Sequence, residues 1–511
     1  MAPQPCLEAA MVDADAAIRL RPLPRPPAVT RPPRWKAAVP VAVGVALALL
    51  PAPPGLTGSA WPYFAVFAAV ITGLVLEPLP AAVVGVLGVT LAAILRLPFT
   101  PEQVARPGFD APTEAVRWAL AGFTNPTVWL IFAAFMFAVG YEKTGLGRRI
   151  ALLLVRRLGR RTLGLGYAVT LADLVLAPFT PSVTARSGGT IYPIVRSIPP
   201  LYGSEPGPTA RRVGSYVVWT AFAATCITSS MFLTALAPNL LAAELVEKTV
   251  HVRIGWMPWL TGFLPAGLLL LLILPLAVYV VYPPEVKRND EVTGWADREL
   301  RAMGPVSRRE VGLAVLVLTA LGFWILGRQL VDATLVAVAV VALMVATGIV
   351  SWDDMLSNKQ AWNVLVWFAT LVTLAEGLGR VGFVGWFARG AAGLLAGLPP
   401  TAVMVALLAL FFVVHYLFAS QTAHTTAVLP VVLAAGAAIP GVSAAKLAML
   451  LCYSLGLMGV ISPYATGPAP VWYGSGYVSQ GDFWKLGLVF GALFLAVLLV
   501  VVVPWVLLVM P

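Results

Sequence analysis

Thr180–Gly189, TPSVTARSGG, sets an arginine between two apolar runs, GYAVTLADLVLAPF (166–179) and TIYPIVRSI (190–198). Ser420–Thr426, SQTAHTT, sets a histidine in the same frame. Each stretch has Ser-x-Thr-Ala followed by a basic residue, Arg186 in the first and His424 in the second. A guanidinium at apolar depth costs about 2.5–3.5 kcal/mol or more, so Arg186 needs a reason to be there. The two stretches belong to a longer correspondence. Thr184 and Thr422, Arg186 and His424, and Trp129 and Trp367 are each 238 residues apart, and Gly145 and Gly382 are 237 apart. The chain is therefore expected to be two copies of one unit.

Composition places both copies in a membrane. Of 511 residues, 59% are hydrophobic and 11% charged, and the mean hydropathy is +0.87. A soluble domain carries about 25% charged residues. About eleven apolar runs, from Ala37–Leu50 to Leu486–Met510, are expected to cross, several of them completed to about 20 residues by Trp-, Tyr-, Gly- and Pro-rich flanks. The net charge of +11 lies in short loops, Arg19–Lys36, Arg148–Arg161, Arg211–Arg212 and Lys287–Arg309. This is the positive-inside distribution of a cytoplasmic face, not a nucleic-acid surface. Residues 1–35, rich in Pro and Arg, lack the apolar core of a signal peptide and are expected to be a disordered cytoplasmic tail. Cys6, Cys226 and Cys452 form no metal spacing or disulfide framework, and no cofactor or metal is expected.

An odd number of crossings separates Trp129 from Trp367, so the copies run in opposite directions, the inverted repeat of secondary transporters. Each copy also carries a Pro-broken stretch at apolar depth, TSSMFLTALAPN with Pro238 and Asn239, and SPYATGPAPVWYGSG with Thr466, Gly467 and Pro468. Irregular backbone at that depth must be buried in protein or line a cavity. Two hairpin tips bearing helix N-termini, Ser182, Thr184, Arg186, Ser420, Gln421, Thr422 and His424 would make a pocket for a dianion. Arg186 is expected to present its guanidinium fork to a carboxylate, and its uncancelled charge to hinder return of the empty carrier. Asp173 is assigned a pairing role at most, and His415 ordinary helix packing. No nucleophile–base spacing marks an enzyme.

The stretches LAPFTPSVTARSGGTIYPIVRSI, MFLTALAPN, HYLFASQTAHTTAVLPV and SPYATGPAPVWYGSGYVSQGDFWKLG resemble the divalent anion–sodium symporter (DASS) family. The likeness is to its exchanger branch, the 2-oxoglutarate/malate translocators and citrate/succinate antiporters, and extends over nearly all the chain after Lys36. It implies an all-α homodimer of eleven transmembrane helices plus two opposed re-entrant hairpins, 163–198 and 400–440, and an elevator mechanism. It also implies scaffold helices with an interface helix in 36–162 and 310–398, and transport-domain helices in 163–282 and 399–511. A cytoplasmic loop spans 283–309. The interface helices fall at 148–160 and 384–395. The substrates implied are di- or tricarboxylates. The family's Ser-Asn-Thr is Ser182-Val183-Thr184 here and Ser420-Gln421-Thr422 in the second copy. Val183 has no side-chain donor or acceptor, which removes a contact from the first sodium site. Sodium-independent exchange is the favoured expectation; a sodium- or proton-coupled symporter is the rival, and a channel-like protein a more distant one.

Overall fold

The computed structural model describes residues 33–510 apart from 57, 328, 329, 395 and 396. Most of the tail expected at 1–35, Cys6 and the last residue of the second expected interface helix, Leu395, lie outside the described residues.

Every regular element among the described residues is helical. The first half opens with α1 (Arg34–Leu49), α2 (Ala60–Leu76), α3 (Ala81–Ile94) and α4 (Ala111–Leu120). α5 (Pro126–Thr144) begins where Asn125 accepts the Thr127 N–H at 2.8 Å, an N-cap that meets one of the four free amides of a helix start. It ends at Gly145, whose φ of +75° is open to glycine without a Cβ penalty. The chain then turns into α6 (Leu146–Leu158), an amphipathic helix. Gly382, at +81°, does the same between α16 (Lys359–Arg380) and α17 (Phe383–Leu394). The glycines matched in the sequence thus close equivalent corners.

The first expected hairpin consists of α7 (Thr162–Leu176), a turn at 177–183, a π-helical segment (Thr184–Ile191) and α8 (Tyr192–Ser197). α9 (Gly214–Met231), a break at 232–236 that holds a 3-10 turn (Leu233–Ala235), α10 (Ala237–Val250) and α11 (Trp256–Val281) follow. The stretch expected to be a plain loop, 283–309, holds α12 (Glu291–Ala302). Its acids face the basic residues of α6: Arg148 lies 2.5 Å from Glu299, and Arg156 3.5 Å from Asp297. α13 (Arg308–Leu326), α14 (Ala333–Ala346) and α15 (Trp352–Ser357) lead to α16 and α17.

The second expected hairpin falls on α18 (Pro400–Val414) and α19 (Gln421–Ala437). α20 (Ala444–Leu457), a second break, α21 (Ala469–Gly474), α22 (Gln480–Val497) and α23 (Val503–Val509) complete the chain.

Among the described residues six helices are long and apolar enough to cross a bilayer, and a seventh span forms if the α4 and α5 segments, which meet at 44°, are taken as one. Shorter apolar helices, α2, α3, α14 and α20 among them, accompany these. The protein is a multi-pass membrane protein with a continuous buried core.

Candidate functional site

Pro178 ends α7 in a short 3-10 turn, and Thr180 is extended (φ −132°, ψ 89°). The chain re-enters a helix with the Ser182 hydroxyl accepting the Ala185 N–H at 3.2 Å. The next eight residues are π-helical, a rare form found often at functional sites. This tip docks on the first break, where Thr234 donates to the Pro178 carbonyl at 2.6 Å and the Ala237 N–H to Pro181 at 3.1 Å. Asn239 closes that break by donating to the carbonyls of Ser229 (2.7 Å) and Phe232 (3.1 Å). Pro238 occupies the first turn of α10, where no amide is needed.

The second tip follows the same plan. A 3-10 turn (His415–Leu417) gives way to Ser420, extended at φ −140°, which caps α19 by accepting the Ala423 N–H at 3.4 Å.

Both tips meet the second break. Thr466 donates to the Gln421 side-chain oxygen at 2.8 Å, and the Gln421 amide donates to the Leu455 carbonyl at 2.6 Å. On the other side stands Thr184. A Cβ placed on Gly467 would lie 2.4 Å from the Thr184 hydroxyl oxygen, far inside contact distance. Gly459 is under the same restraint, since a Cβ there would lie 2.9 Å from the Gln421 side-chain nitrogen. Thr184, Gln421, Thr466 and Gly467 are therefore brought together, and Pro468 is the N-cap residue of α21 beside them. Val183 is buried among apolar neighbours, and Thr422 and Ser420 are half-buried. Ser182 faces α16, whose Gln360 donates to its hydroxyl at 3.2 Å. Gly459 was absent from the sequence expectations; a glycine just before a Pro-rich break was the signal available.

Arg186 differs from expectation. It is 1% exposed, and all five guanidinium N–H groups have protein acceptors. Nε faces Asp173 at 3.3 Å. One terminal nitrogen donates to the carbonyls of Thr180 (2.8 Å) and Ala235 (2.7 Å), the other to the hydroxyls of Ser229 (3.0 Å) and Thr228 (3.4 Å). Asp173 is further held by the hydroxyls of Thr225, at 3.1 Å, and Thr228. The fork expected to await a carboxylate is occupied by the protein. Asp173 cancels its charge, so the hindrance expected to empty return has no basis in that charge.

His424 is buried too, but it lies among the rings of Phe411 (4.3 Å between centroids), His415 (5.0 Å) and Phe418 (5.1 Å). Neither ring nitrogen has a hydrogen-bond partner among the described residues. His415 is a buried histidine with one ring nitrogen satisfied. Its Nε2 sits 2.8 Å from the Ala465 carbonyl and ties α18 to the second break.

A cavity of about 320 Å³ adjoins the first hairpin, lined by Thr180, Arg186 and Gly189 and, across it, by Tyr141, Glu142, Asn358 and Gln360. A second, of about 460 Å³, shares Tyr141, Glu142, Gly189 and Thr190 and extends to Arg148, Trp295 and Met303. Together they form a cleft from the basic loops to the first tip. Asp354, outside the spans at the rim, has its carboxyl pushed down to about 2 by Lys143 at 2.5 Å and by the Ser351 N–H and hydroxyl.

Comparison with known proteins agrees with this architecture. The chain is 49% identical over 427 residues to the L-tartrate/succinate antiporters of Escherichia coli (strain K12) and Shigella sonnei (strain Ss046), covering 83% of this chain and 88% of each of theirs. Among solved structures, the YdaH transporter of Alcanivorax borkumensis aligns with a TM-score of 0.56 at 16% identity, over 82% of this chain and 98% of that one. MtrF of Neisseria gonorrhoeae aligns at 0.54 and 14%, over 84% and 96%. At such identities the two structures speak for the fold alone. The profile described as "Sodium:sulfate symporter transmembrane region" matches residues 33–511, and the chain belongs to that family, the divalent anion–sodium symporters.

Proposed function

We propose that this protein exchanges C4 dicarboxylates of the succinate and tartrate class across the cytoplasmic (inner) membrane, without sodium. The observation that carries this reading is the meeting of both hairpin tips at one Pro-broken segment, where Thr184, Gln421, Thr466 and Gly467 adjoin. Hydroxyl and amide groups at helix N-termini suit carboxylate oxygens. The 49% identity to L-tartrate/succinate antiporters supports both the substrate class and exchange over symport. Val183, lacking a ligating group, supports sodium independence. Ser182 and Ser420 would add donors, while Pro238, Asn239 and Pro468 shape the breaks. Arg186 would act from behind the surface, fixing the first tip through Asp173, Thr180 and Ala235.

In this reading eleven helices cross the membrane, the N-terminus is cytoplasmic, and the hairpins belong to inverted repeats. A transport unit of the hairpins, α9–α11 and α20–α23 moves as an elevator against a frame of α1–α5 and α13–α16, with α6 and α17 at the interface, in a homodimer. Because the cleft lies beside the basic loops, the form described here is open to the cytoplasm.

Counterflow in liposomes tests the function. Vesicles loaded with succinate should take up labelled tartrate many-fold faster than empty vesicles, with sodium or choline outside alike. Equal uptake by loaded and empty vesicles would contradict exchange, and a many-fold fall in choline would favour the sodium symporter.

A further inference from the structure

Opposite the cleft, two polar bridges join the proposed moving unit to its frame. Glu244, in α10, is 5% exposed. One carboxylate oxygen accepts the Asn125 amide at 2.6 Å and the other the Thr127 hydroxyl at 3.1 Å, both from the start of α5. One turn further along α10, Lys248 lies 2.9 Å from Glu376, near the end of α16. The opposite ends of α5 and α16 lie where the cleft opens. There Lys143, near the end of α5, pairs with Asp354, five residues before α16 begins, within the frame itself. A 19-residue helix spans about 28 Å, so the bridges and the cleft mouth lie at opposite faces of the protein.

The bridges differ from the ordinary helix contacts around them. Apolar packing between α10 and its neighbours can slide, because dispersion contacts are non-directional and re-form in a new register. A carboxylate held by two directed donors cannot: either the donors travel with it or the bonds break. A buried carboxylate that loses its donors is costly, so such a bridge favours one arrangement of the two units over the other.

We propose that Glu244 and Lys248, with Asn125, Thr127 and Glu376, form a clamp that keeps the carrier shut on the face away from the basic loops, and that this clamp opens whenever the hairpin site turns to that face. The inference rests on the exchange reading for its moving unit and its frame. The Lys248 arm is partly exposed, with 32% and 43% of the two side chains accessible, so its variants should fold. It also allows a charge swap.

The test uses full-length protein with Cys6, Cys226 and Cys452 replaced and a single reporter, Thr422→Cys. The reporter is labelled by an impermeant maleimide applied to the outer face of oriented vesicles. Lys248→Met and Glu244→Gln should each label about five- to tenfold faster than the parent, and Lys248→Glu with Glu376→Lys should return to the parent rate. Labelling of both single variants at the parent rate, in protein that is monodisperse in detergent, would overturn the clamp. Counterflow by the unsubstituted chain is measured alongside. Loss of counterflow there would count against the functional reading, whereas its counterflow with unchanged labelling of the variants would count against the clamp alone.

Discussion

The two hairpins carry the same short pattern and treat its basic residue in opposite ways. Arg186 is enclosed by an acid, two carbonyls and two hydroxyls, with no N–H left over. His424 is enclosed by rings and makes no side-chain hydrogen bond among the described residues. The cause lies in the facing arm. Asp173 and Thr180, which serve Arg186, stand 238 residues before Phe411 and Phe418, which surround His424. Phe411 in place of the acid removes the charge partner and Phe418 adds a ring, which leaves an apolar socket, whereas Thr180 serves Arg186 through its backbone carbonyl, which any residue would supply. A histidine can enter such a socket neutral; an arginine cannot, because it stays protonated. A repeated motif specifies backbone geometry here, while the partner residues outside it decide the electrostatics.

The sharpest way to break this comparison is to remove the acid. Asp173→Asn leaves Arg186 buried without a counter-charge, and breaking a buried pair costs about 3–5 kcal/mol. Thermal unfolding in detergent should show a large loss of stability or of folded protein. Asp173→Leu combined with Arg186→Met should sit closer to the parent than Asp173→Leu alone, since the pair is then absent rather than broken. A parent-like melting curve for Asp173→Asn would mean that the network does not hold the first tip.

The place where the hairpins meet should be nearly as sensitive. Gly467→Ala pushes a methyl toward Thr184, and overpacking costs about 1–3 kcal/mol. Exchange should fall about tenfold or more. Thr184→Ala removes the obstructing oxygen, so exchange by the double variant should exceed that of Gly467→Ala unless Thr184 is itself an indispensable ligand. Normal exchange by Gly467→Ala would show that the tips have room to spare.

The smallest effect belongs to the second socket. His424→Phe replaces a ring already surrounded by rings, and its stability should stay within about 1 kcal/mol of the parent. A loss near that of Asp173→Asn would erase the contrast, because it would require a partner for the imidazole.

Much of the fold was legible in the sequence because it depends on local rules. The paired Ser-x-Thr-Ala stretches, the glycines that close the corners at 145 and 382, the amphipathic α6 and the Pro-broken segments each carry their signal within a few residues. The site was legible in its backbone and less so in its contacts. Arg186 was visible as an intramembrane cation, but its engagement with Asp173, Thr180 and Ala235 depends on how the π-helical turn aims the side chain. Gly459, the His415–Ala465 link and the Glu244 bridge join residues tens to more than a hundred positions apart, and no periodicity announces such pairs.

The central claim is that both tips line one dicarboxylate site. Single cysteines at Thr184 and Thr422, in the cysteine-replaced background, should be labelled by a small maleimide in detergent and protected by succinate at both positions with the same half-protecting concentration. Protection at one tip only, or at neither, would contradict a shared site.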